Sequence, residues 1–259
     1  MKPVVARKRF GQHFLVDRGI IEAIVAAVSP RPGERLVEIG PGDAALTAPL
    51  LERAVHLTAI EIDRDLAARL RKRFGSRLTL IEGDALSVDL GPLAEAGPLR
   101  LVGNLPYNIS SPLLVRLIDW HARVLDQHFM LQKEVVDRIV APPGCAAYGR
   151  LGVLLQACYH VESLIDVPPG AFDPPPRVDS AVIRMLPLPE AGTVPRAELS
   201  ALLAAGFGQR RKMLRGTLLP WLAQRGIADP GLPPTARAEE IPVAEWVALA
   251  RRLKAAATG

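Results

Sequence analysis

The string Asn104-Leu105-Pro106-Tyr107 begins at the last residue of an apolar segment that predicts a β-strand at 99–104. The Asn104 amide oxygen and a main-chain carbonyl of Leu105 or Pro106 can accept both hydrogens of an exocyclic amine such as adenine N6. The nitrogen then becomes more tetrahedral, and its lone pair can be aimed at a methyl donor. Tyr107 offers a flat face for base stacking, which contributes about 1–3 kcal/mol. The pattern predicts methyl transfer to an adenine-like amine, and the alternative is a capped turn with a buried tyrosine.

A glycine turn follows the strand predicted at 35–40. Gly40 and Gly42 lie where this strand turns into a helix, and glycine permits the backbone conformation and the close ligand approach that such a turn needs. Glu61 ends the next strand about 20 residues later, as a ribose-binding carboxylate should. The same spacing fits a dinucleotide site, or a tight turn beside an ordinary acid.

Carboxylates surround this turn, namely Glu38, Asp43, Glu61, Asp63 and Asp84. They would repel a pyrophosphate but attract the sulfonium and α-ammonium groups of S-adenosylmethionine. Asp84 ends the third predicted strand, where its carboxylate can accept a hydrogen bond from an adenine amine. The acids favour S-adenosylmethionine over a dinucleotide, with solvated strand-end acids as the alternative interpretation.

Short β-rich runs alternate with helix-period segments from Gly33 to Met185, which is typical of βαβ units. Strands are predicted at 35–40, 56–62, 77–83, 99–104, 128–132, 161–167 and 178–185. The last two runs enclose too few residues for a crossover helix, so we expect the sheet to end in an antiparallel pair. The predicted fold is α/β, with a Rossmann-like sheet of otherwise parallel strands.

A proline- and glycine-rich segment at 187–195 reads as a linker. Three helix-period patterns follow it, at 197–207, 211–224 and 243–256, without a convincing strand. We therefore predict a catalytic domain over 1–187, including a basic N-terminal segment, and a small helical RNA-binding domain over 196–259.

The 259 residues carry a formal charge of +5 and contain 49% hydrophobic residues, which is typical of a globular protein with an ample core. We find neither a stretch long and apolar enough for a membrane span nor an N-terminal signal peptide. Cys145 and Cys158 lack partners at metal-ligand spacing, so we predict no metal site. We expect a cytoplasmic protein without membrane contact, and a monomer, since no element shows an exposed apolar seam.

Eight motifs that recur in order along nearly the whole chain resemble those of the rRNA adenine N6,N6-dimethyltransferases, particularly the bacterial small-subunit (16S) type. They are KRFGQHFL (8–15), VEIGPGDAALT (37–47), IEID (60–63), GDAL (83–86), GNLPYNISSPLL (103–114), FMLQKEVVDRI (129–139), YGRLGVLLQ (148–156) and AFDPPPRVDSAV (171–182). The resemblance implies S-adenosylmethionine-dependent N6,N6-dimethylation of two adjacent adenosines in the 3′-terminal hairpin of 16S rRNA, within an immature small ribosomal subunit.

The resemblance also implies roles for individual residues. The cofactor site would be lined by His13, Leu15, Gly40, Glu61, Asp84 and Asn104, where family members often carry Asn in place of His13. Phe172 heads a proline-rich string that resembles the family's F-x-P-x-P-x-V-x-S. Extended by its prolines, this string can hold Phe172 opposite Tyr107 as the second wall of a slot for an extruded base. The alternative is that Phe172 fills the core.

Basic residues cluster on both sides of the predicted catalytic domain. The candidate phosphate contacts are Arg7, Lys8 and Arg9 near the N-terminus and Arg210, Arg211, Lys212 and Arg215 after the linker. RNA backbone contact explains both clusters, whereas solvated helix faces are the alternative. Three other functions remain open: a nicotinamide-dependent oxidoreductase, a large-subunit rRNA methyltransferase of the macrolide-resistance type, and a ribosome-assembly factor with vestigial catalysis.

Overall fold

A computed structural model describes residues 13–54 and 56–258 of the chain. Its strands, in chain order, are β1 (Phe14–Leu15), β2 (Arg35–Ile39), β3 (Leu57–Glu61), β4 (Leu78–Glu82), β5 (Leu99–Asn104), β6 (Val124–Gln132), β7 (Tyr159–Val167), β8 (Phe172–Asp173) and β9 (Ser180–Pro187). Each of the strands predicted from the sequence is present. The largest difference is at β6, which begins at Val124 and not at 128.

Seven of these strands form one sheet in the order β4-β3-β2-β5-β6-β9-β7. The pairs from β4 to β6 are parallel, and β9 runs antiparallel to β6. Chain order reverses between β2 and β5, so their carboxyl ends border the crevice in which such sheets bind ligands. The expected antiparallel ending is found in β9, which lies beside β7 at one edge of the sheet.

The α-helices are α1 (Arg18–Val28), α2 (Thr47–Ala54), α3 (Arg64–Phe74), α4 (Gly91–Ala94), α5 (Ser110–Leu117), α6 (Lys133–Val140), α7 (Arg150–Gln156), α8 (Arg196–Phe207), α9 (Leu218–Ala223) and α10 (Val243–Thr258). Carboxylates cap two of the helices next to the sheet. The Asp17 side chain accepts the Ile20 N–H, and the Asp63 side chain accepts the Asp65 N–H, both at 3.0 Å. Such caps satisfy backbone donors that the first turn leaves unpaired.

A buried arginine joins α1 to the central strands. The Arg100 guanidinium on β5 donates to both carboxylate oxygens of Asp126 on β6, at 2.9 and 2.6 Å. It also donates to the Val28 carbonyl at the end of α1, at 2.6 Å. Arg100 is only 7% exposed and also donates to Glu34 at 2.6 Å, so removing the guanidinium would leave the buried Asp126 carboxylate without its countercharge.

A short second sheet ties the N-terminal strand to the proline-rich string. In this antiparallel pair Phe14 lies opposite Asp173 and Leu15 opposite Phe172. The Val16 N–H continues the contact by donating to the Ala171 carbonyl at 2.8 Å. The pairing therefore holds residues that are far apart in sequence next to each other at the sheet's ligand-binding edge.

The chain divides into two compact units, 1–136 with 162–187, and 137–161 with 188–259. The second unit has its own aromatic core, in which Phe207 lies 6.2 Å from Tyr148 and 5.7 Å from Trp246 between ring centroids. Residues 137–161 thus pack with the C-terminal helices, although the sequence placed them in the first domain. The functional boundary predicted at 187–196 stays a prediction.

The helix expected over 211–224 is interrupted. A 3₁₀ turn occupies Leu214–Gly216, and α9 begins only at Leu218. Pro220 lacks an N–H and is compatible only with the first turn of a helix. The prediction of a continuous helix over 211–224 is therefore wrong.

Both cysteines are unpaired, Cys145 exposed and Cys158 buried. Within the described ranges, every helix is too short or too polar to span a bilayer.

Candidate active site

A cavity of about 290 Å³ opens at the carboxyl ends of β2, β3, β4 and β5 in the first unit. All the predicted cofactor residues line it, namely His13, Leu15, Gly40, Gly42, Glu61, Asp84 and Asn104. Leu105, Pro106 and Tyr107 line it as well. The structure thus brings the glycine turn, the acids and the Asn-Leu-Pro-Tyr string to one place, as the switch point of the sheet requires.

The turn between β2 and α2 takes left-handed backbone at three positions. The φ angles are +69° at Gly40, +56° at Gly42 and +69° at Ala44. A Cβ on Gly42 would lie 3.3 Å from the Phe14 ring, so glycine also permits this close approach. Alanine in the left-handed region costs about 1–2 kcal/mol, and such strain persists where the surroundings hold the backbone in place. Here Ala44 is buried, and its N–H donates to the Pro41 carbonyl at 2.9 Å.

Glu61 closes this turn through its carboxylate. Its two oxygens accept the Gly42 N–H at 3.2 Å and the Asp63 N–H at 2.9 Å. Burial raises the pKa of Glu61, and the backbone donors lower it in part. A carboxylate held by two amides at a strand end is well placed to accept hydroxyl hydrogens from a ribose.

Glu38 is a second carboxyl group on the cavity wall, and it is only 2% exposed. Its one hydrogen-bond donor among the described residues is the Thr47 hydroxyl, at 2.7 Å. Burial raises the pKa of Glu38 to about 8, with the Thr47 hydrogen bond lowering it and the Glu61 charge raising it further. The cavity therefore contains a carboxyl group that has no cationic partner within residues 13–54 and 56–258.

The other predicted acids differ in position. Asp43 and Asp84 line the cavity, and Asp84 is held by the Leu86 N–H at 2.8 Å. Asp63 does not line the cavity, because its carboxylate caps α3. No lysine or arginine is present among the described lining residues. The wall is consequently acidic, as a cationic ligand requires and a diphosphate does not.

Asn104 lies at the end of β5 with its side-chain amide oriented by the N-terminal segment. Its Nδ2 donates to the His13 main-chain carbonyl at 3.1 Å. The amide oxygen Oδ1 is therefore the end of the group left for a ligand. The neighbouring Pro106 carbonyl accepts the Ile109 N–H at 3.1 Å, which leaves Leu105 as the better source of the second acceptor carbonyl.

Tyr107 and His13 form a stacked pair beside Asn104. Their ring centroids are 5.9 Å apart, with an angle of 25° between the planes. The Tyr107 hydroxyl shares a 2.8 Å hydrogen bond with Ser180, and His13 Nδ1 donates to the Pro174 carbonyl at 2.8 Å. Burial raises the pKa of Tyr107, so the phenol stays neutral. Both rings are held by the segment that follows Phe172.

Phe172 does not line the cavity. It is 4% exposed, pairs with Leu15 and belongs to the apolar core cluster of the first unit. A role as the second wall of a base slot stays a prediction, and His13 is the ring that stacks on Tyr107 in this structure.

The predicted phosphate contacts divide into three groups. Arg7, Lys8 and Arg9 lie outside the described residues. Arg211, Lys212 and Arg215 are exposed, with no hydrogen-bond or ion-pair partner for their side chains in the described part of the chain. Arg210 instead donates to Glu239 at 2.8 Å, to the Tyr148 carbonyl at 3.0 Å and to the Ala146 carbonyl. The structure thus gives Arg210 an intramolecular role within the second unit, which the charge run alone did not reveal.

Phe14 and Ile62 are among the lining residues that the sequence reasoning did not single out. Phe14 packs on the glycine turn, and the signal for it was its place between His13 and Leu15 in a strand-like string. Ile62 lines the cavity although it is 49% exposed. The sequence indicated this residue only by its apolar side chain, which stands between the acids Glu61 and Asp63 at the end of a strand.

Known proteins are similar to this chain over nearly its whole length. A family model described as ribosomal RNA adenine dimethylase matches residues 4–255. The chain is 58% identical over 250 residues to ribosomal RNA small subunit methyltransferase A of Leptothrix cholodnii, covering 95% of this chain and 91% of that protein. It is 56% identical to the protein of the same name from Bordetella pertussis, covering 97% and 95%.

Two solved structures resemble the chain over most of its length. A dimethyladenosine transferase from Plasmodium falciparum has a TM-score of 0.81 at 25% identity, covering 95% of this chain and 98% of that one. The 23S rRNA methyltransferase ErmE has a TM-score of 0.67 at 25% identity, covering 93% and 99%. The Rossmann-like methyltransferase sheet with a C-terminal helical region is thereby confirmed as the fold.

Proposed function

Since the chain belongs to the ribosomal RNA adenine dimethylase family, we propose that it dimethylates N6 of two adjacent adenosines in the 3′-terminal hairpin of 16S rRNA. One observation carries the proposal beyond family membership. The Asn104 amide is oriented by the His13 carbonyl so that an acceptor oxygen is left beside a stacked tyrosine, at the rim of a carboxylate-lined cavity.

The residues present fit S-adenosylmethionine, the cofactor of this family. Glu38, Glu61 and Asp84 bring carboxyl groups to the cavity wall, and no lysine or arginine accompanies them among the described lining residues. A nicotinamide dinucleotide would place a diphosphate against these acids, which is unfavourable. When bound, S-adenosylmethionine supplies a methyl group on a positively charged sulfur. Glu61 is the residue to hold the ribose, and Asp84 the one to accept from the adenine amine.

Catalysis by this chain is a matter of orienting the amine. In the first transfer, Asn104 Oδ1 and the Leu105 carbonyl would accept the two N6 hydrogens, and in the second transfer one of them would accept the single hydrogen that is left. The nitrogen lone pair would thereby be directed at the methyl group that S-adenosylmethionine would supply. A proton departs from N6 to solvent after each transfer, so no strong general base is needed. Tyr107 supports the base by stacking. The hydrogen bond between Ser180 and the Tyr107 hydroxyl holds the ring in place for this contact.

We propose that the substrate is rRNA within an immature small ribosomal subunit. We also propose that the protein acts on it as a monomer, in the cytoplasm. Relatives at 56–58% identity are named for the small subunit. The likeness to a 23S rRNA methyltransferase keeps large-subunit rRNA as the alternative. Immature small subunits and protein-free large-subunit RNA are therefore assayed side by side by mass spectrometry, and methylation of the latter alone would contradict the proposal.

Asn104→Ala tests the site. We expect methyl transfer to small-subunit RNA to fall by about 100-fold or more, because the N6 amine loses an oriented acceptor. Binding of RNA, measured by fluorescence anisotropy, should change little. Gln224→Ala, an amide-to-alanine substitution at an exposed residue of the second unit, is the control. Equal turnover in the two variants would refute the role of Asn104.

A further inference from the structure

The segment 173–180 is fastened at both ends to the stacked rings of the site. The Pro174 carbonyl accepts the His13 Nδ1–H at 2.8 Å, and Ser180 shares a 2.8 Å hydrogen bond with Tyr107. Both rings line the cavity. The residues between these two anchors therefore lie next to the place where a base would meet Tyr107.

Arg177 stands midway between the two anchors, three residues from each, and is exposed. In the described part of the chain, its guanidinium has neither a hydrogen-bond partner nor an ion-pair partner. Other cations near this edge of the sheet are engaged. Lys133 pairs with Asp166 at 2.9 Å, and Arg116 donates to the Ala85 carbonyl at 2.9 Å. Arg177 is thus a cation held next to the site without a structural use of its own.

The local backbone restricts where this cation can go. Three prolines, 174–176, precede Arg177, and proline fixes φ near −65°. On the other side Ser180 is fully buried, and the Asp179 carbonyl accepts the Lys133 N–H at 2.9 Å. The segment therefore presents Arg177 from a short, constrained base, which lowers the entropy lost when the side chain binds a ligand.

The charge of the cavity makes a cation at this place useful. A nucleotide whose base lies beside Tyr107 brings a phosphate towards a wall that carries Asp43, Glu61 and Asp84. These carboxylates repel the phosphate while they attract the methyl donor. A guanidinium outside the cavity offsets the repulsion and can grip phosphate oxygens with two parallel hydrogen bonds.

We propose that Arg177 is a positioning residue that binds a phosphate flanking the target adenosine and so holds the base on Tyr107. The inference rests on the proposed function, because it takes RNA as the ligand. It adds a contact close to the reacting amine that is separate from the two basic clusters recognised in the sequence. Val178, which follows and is 45% exposed, provides apolar surface for the adjoining sugar.

The test compares Arg177→Ala and Arg177→Lys with Arg123→Ala. Arg123 is also exposed and has no side-chain partner in the described ranges, but it immediately precedes β6, at the end of that strand away from the site. With 3′-hairpin RNA of the small subunit, we expect Arg177→Ala to raise KM about tenfold and to lower the slope of log affinity against log salt by about 0.7. S-adenosylmethionine affinity should be unchanged. Arg177→Lys should restore the salt slope but not KM, since lysine cannot bind bidentately.

A chemical substitution identifies the phosphate. Hairpin RNAs carry a neutral methylphosphonate 5′ or 3′ of the target adenosine in turn. At one of the two positions, the methylphosphonate should weaken RNA binding by the wild-type protein as much as Arg177→Ala weakens binding of the unmodified RNA. Combining that methylphosphonate with Arg177→Ala should cause no further loss of affinity. Full additivity at both positions, or a salt slope and KM equal to those of Arg123→Ala, would overturn the proposal.

The readout also separates this inference from the proposed function. Anisotropy measures RNA binding whether or not methylation follows. A wild-type protein that binds the hairpin without methylating small-subunit RNA contradicts the proposed function, while Arg177 is still judged by its salt slope. Circular dichroism melts verify that each variant is folded, as the exposure of Arg177 leads us to expect.

Discussion

Glu38 shows how a single residue can distinguish ligands by charge. It lies on the cavity wall with the Thr47 hydroxyl as its donor and the Glu61 carboxyl nearby. Asp43, Asp84 and His13 line the same cavity. Because burial raises the pKa of Glu38 to about 8, the group is mainly protonated at neutral pH until a cation enters. A sulfonium and an ammonium favour the ionised form, so their binding should release a proton.

The affinity for S-adenosylmethionine is therefore expected to rise with pH. Below the pKa of about 8, binding must remove a proton from Glu38, and each lower pH unit makes that removal up to about tenfold less favourable. Above that pKa, Glu38 is already ionised and its contribution levels off. Calorimetry between about pH 6 and pH 7.5, in buffers of different ionisation enthalpy, measures both affinity and proton release.

Glu38→Gln serves as the control for this prediction. The variant keeps a hydrogen-bonding group beside Thr47 but cannot titrate, so proton release should drop and the pH dependence should flatten. The ligand's own ammonium group titrates alike with both proteins and cancels in the comparison. S-adenosylhomocysteine lacks the sulfonium charge and should show a weaker rise. If Glu38→Gln binds with an unaltered pH profile, Glu38 is not the group that titrates.

Among the elements, β5 and β2 determine how the site is assembled. Asn104 ends β5, and the glycine turn begins directly after β2, so the pairing of these two strands brings the turn and Asn104 together. Gly103 permits the observed approach, since a Cβ at that position would lie 2.3 Å from the Ile39 carbonyl oxygen. The Ile39 carbonyl belongs to the paired backbone of the sheet, and this backbone cannot move aside as a flexible side chain can.

Gly103→Ala is expected to destabilise the protein by about 1–3 kcal/mol, the usual cost of overpacking a filled core. Because the clash adjoins Asn104, methyl transfer should also fall, even at temperatures where the variant is fully folded. Thermal unfolding and a turnover assay measure the two effects.

Gly170→Ala is the matched control for this substitution. Gly170 is exposed, and a Cβ there would meet nothing within 4 Å. Its stability should change by no more than about 0.5 kcal/mol. If Gly103→Ala were as stable and active as this control, the close approach of β5 and β2 would not matter to the site.

At the scale of the whole molecule, the net charge of +5 conceals two opposite local fields. Acids line the cavity of the first unit, whereas Arg211, Lys212 and Arg215 are exposed in the second unit without side-chain partners in the part of the chain described. Arg210 belongs to the same run but is held by Glu239 and two carbonyls. Neighbouring cations of one run therefore differ in their surroundings, and we predict different purposes for them.

Salt titrations distinguish these purposes. Replacing Arg211, Lys212 or Arg215 by alanine should each lower the slope of log RNA affinity against log salt by about 0.7–0.9, with little loss of thermal stability. Arg210→Ala should do the reverse, because it removes internal hydrogen bonds and leaves the phosphate contacts in place. Equal slopes for all four variants and the wild type would show that this run does not contact RNA.

Much of the architecture was predictable from local patterns. Alternating apolar runs predicted every strand of the large sheet, because β-branched segments separated by helix-period stretches have few other ways to bury their surface. The helix expected over 211–224 is broken before Leu218, because Pro220 lacks an N–H and can lie only in the first turn of a helix. The predicted cofactor residues all line the cavity because strand ends and glycine turns mark that edge of a doubly wound sheet.

The amino-acid sequence by itself determined the fold class, the family and the residue types of the site, since these depend on periodicity and on motifs that stay together along the chain. Only the tertiary structure decided which partners those residues have. It stacked His13 on Tyr107, placed Phe172 in the core and engaged Arg210, while Arg177 has no side-chain partner among the described residues. The reason is that hydrogen bonds, burial and charge pairing join residues separated by tens to more than a hundred positions, and no local pattern records which of them meet.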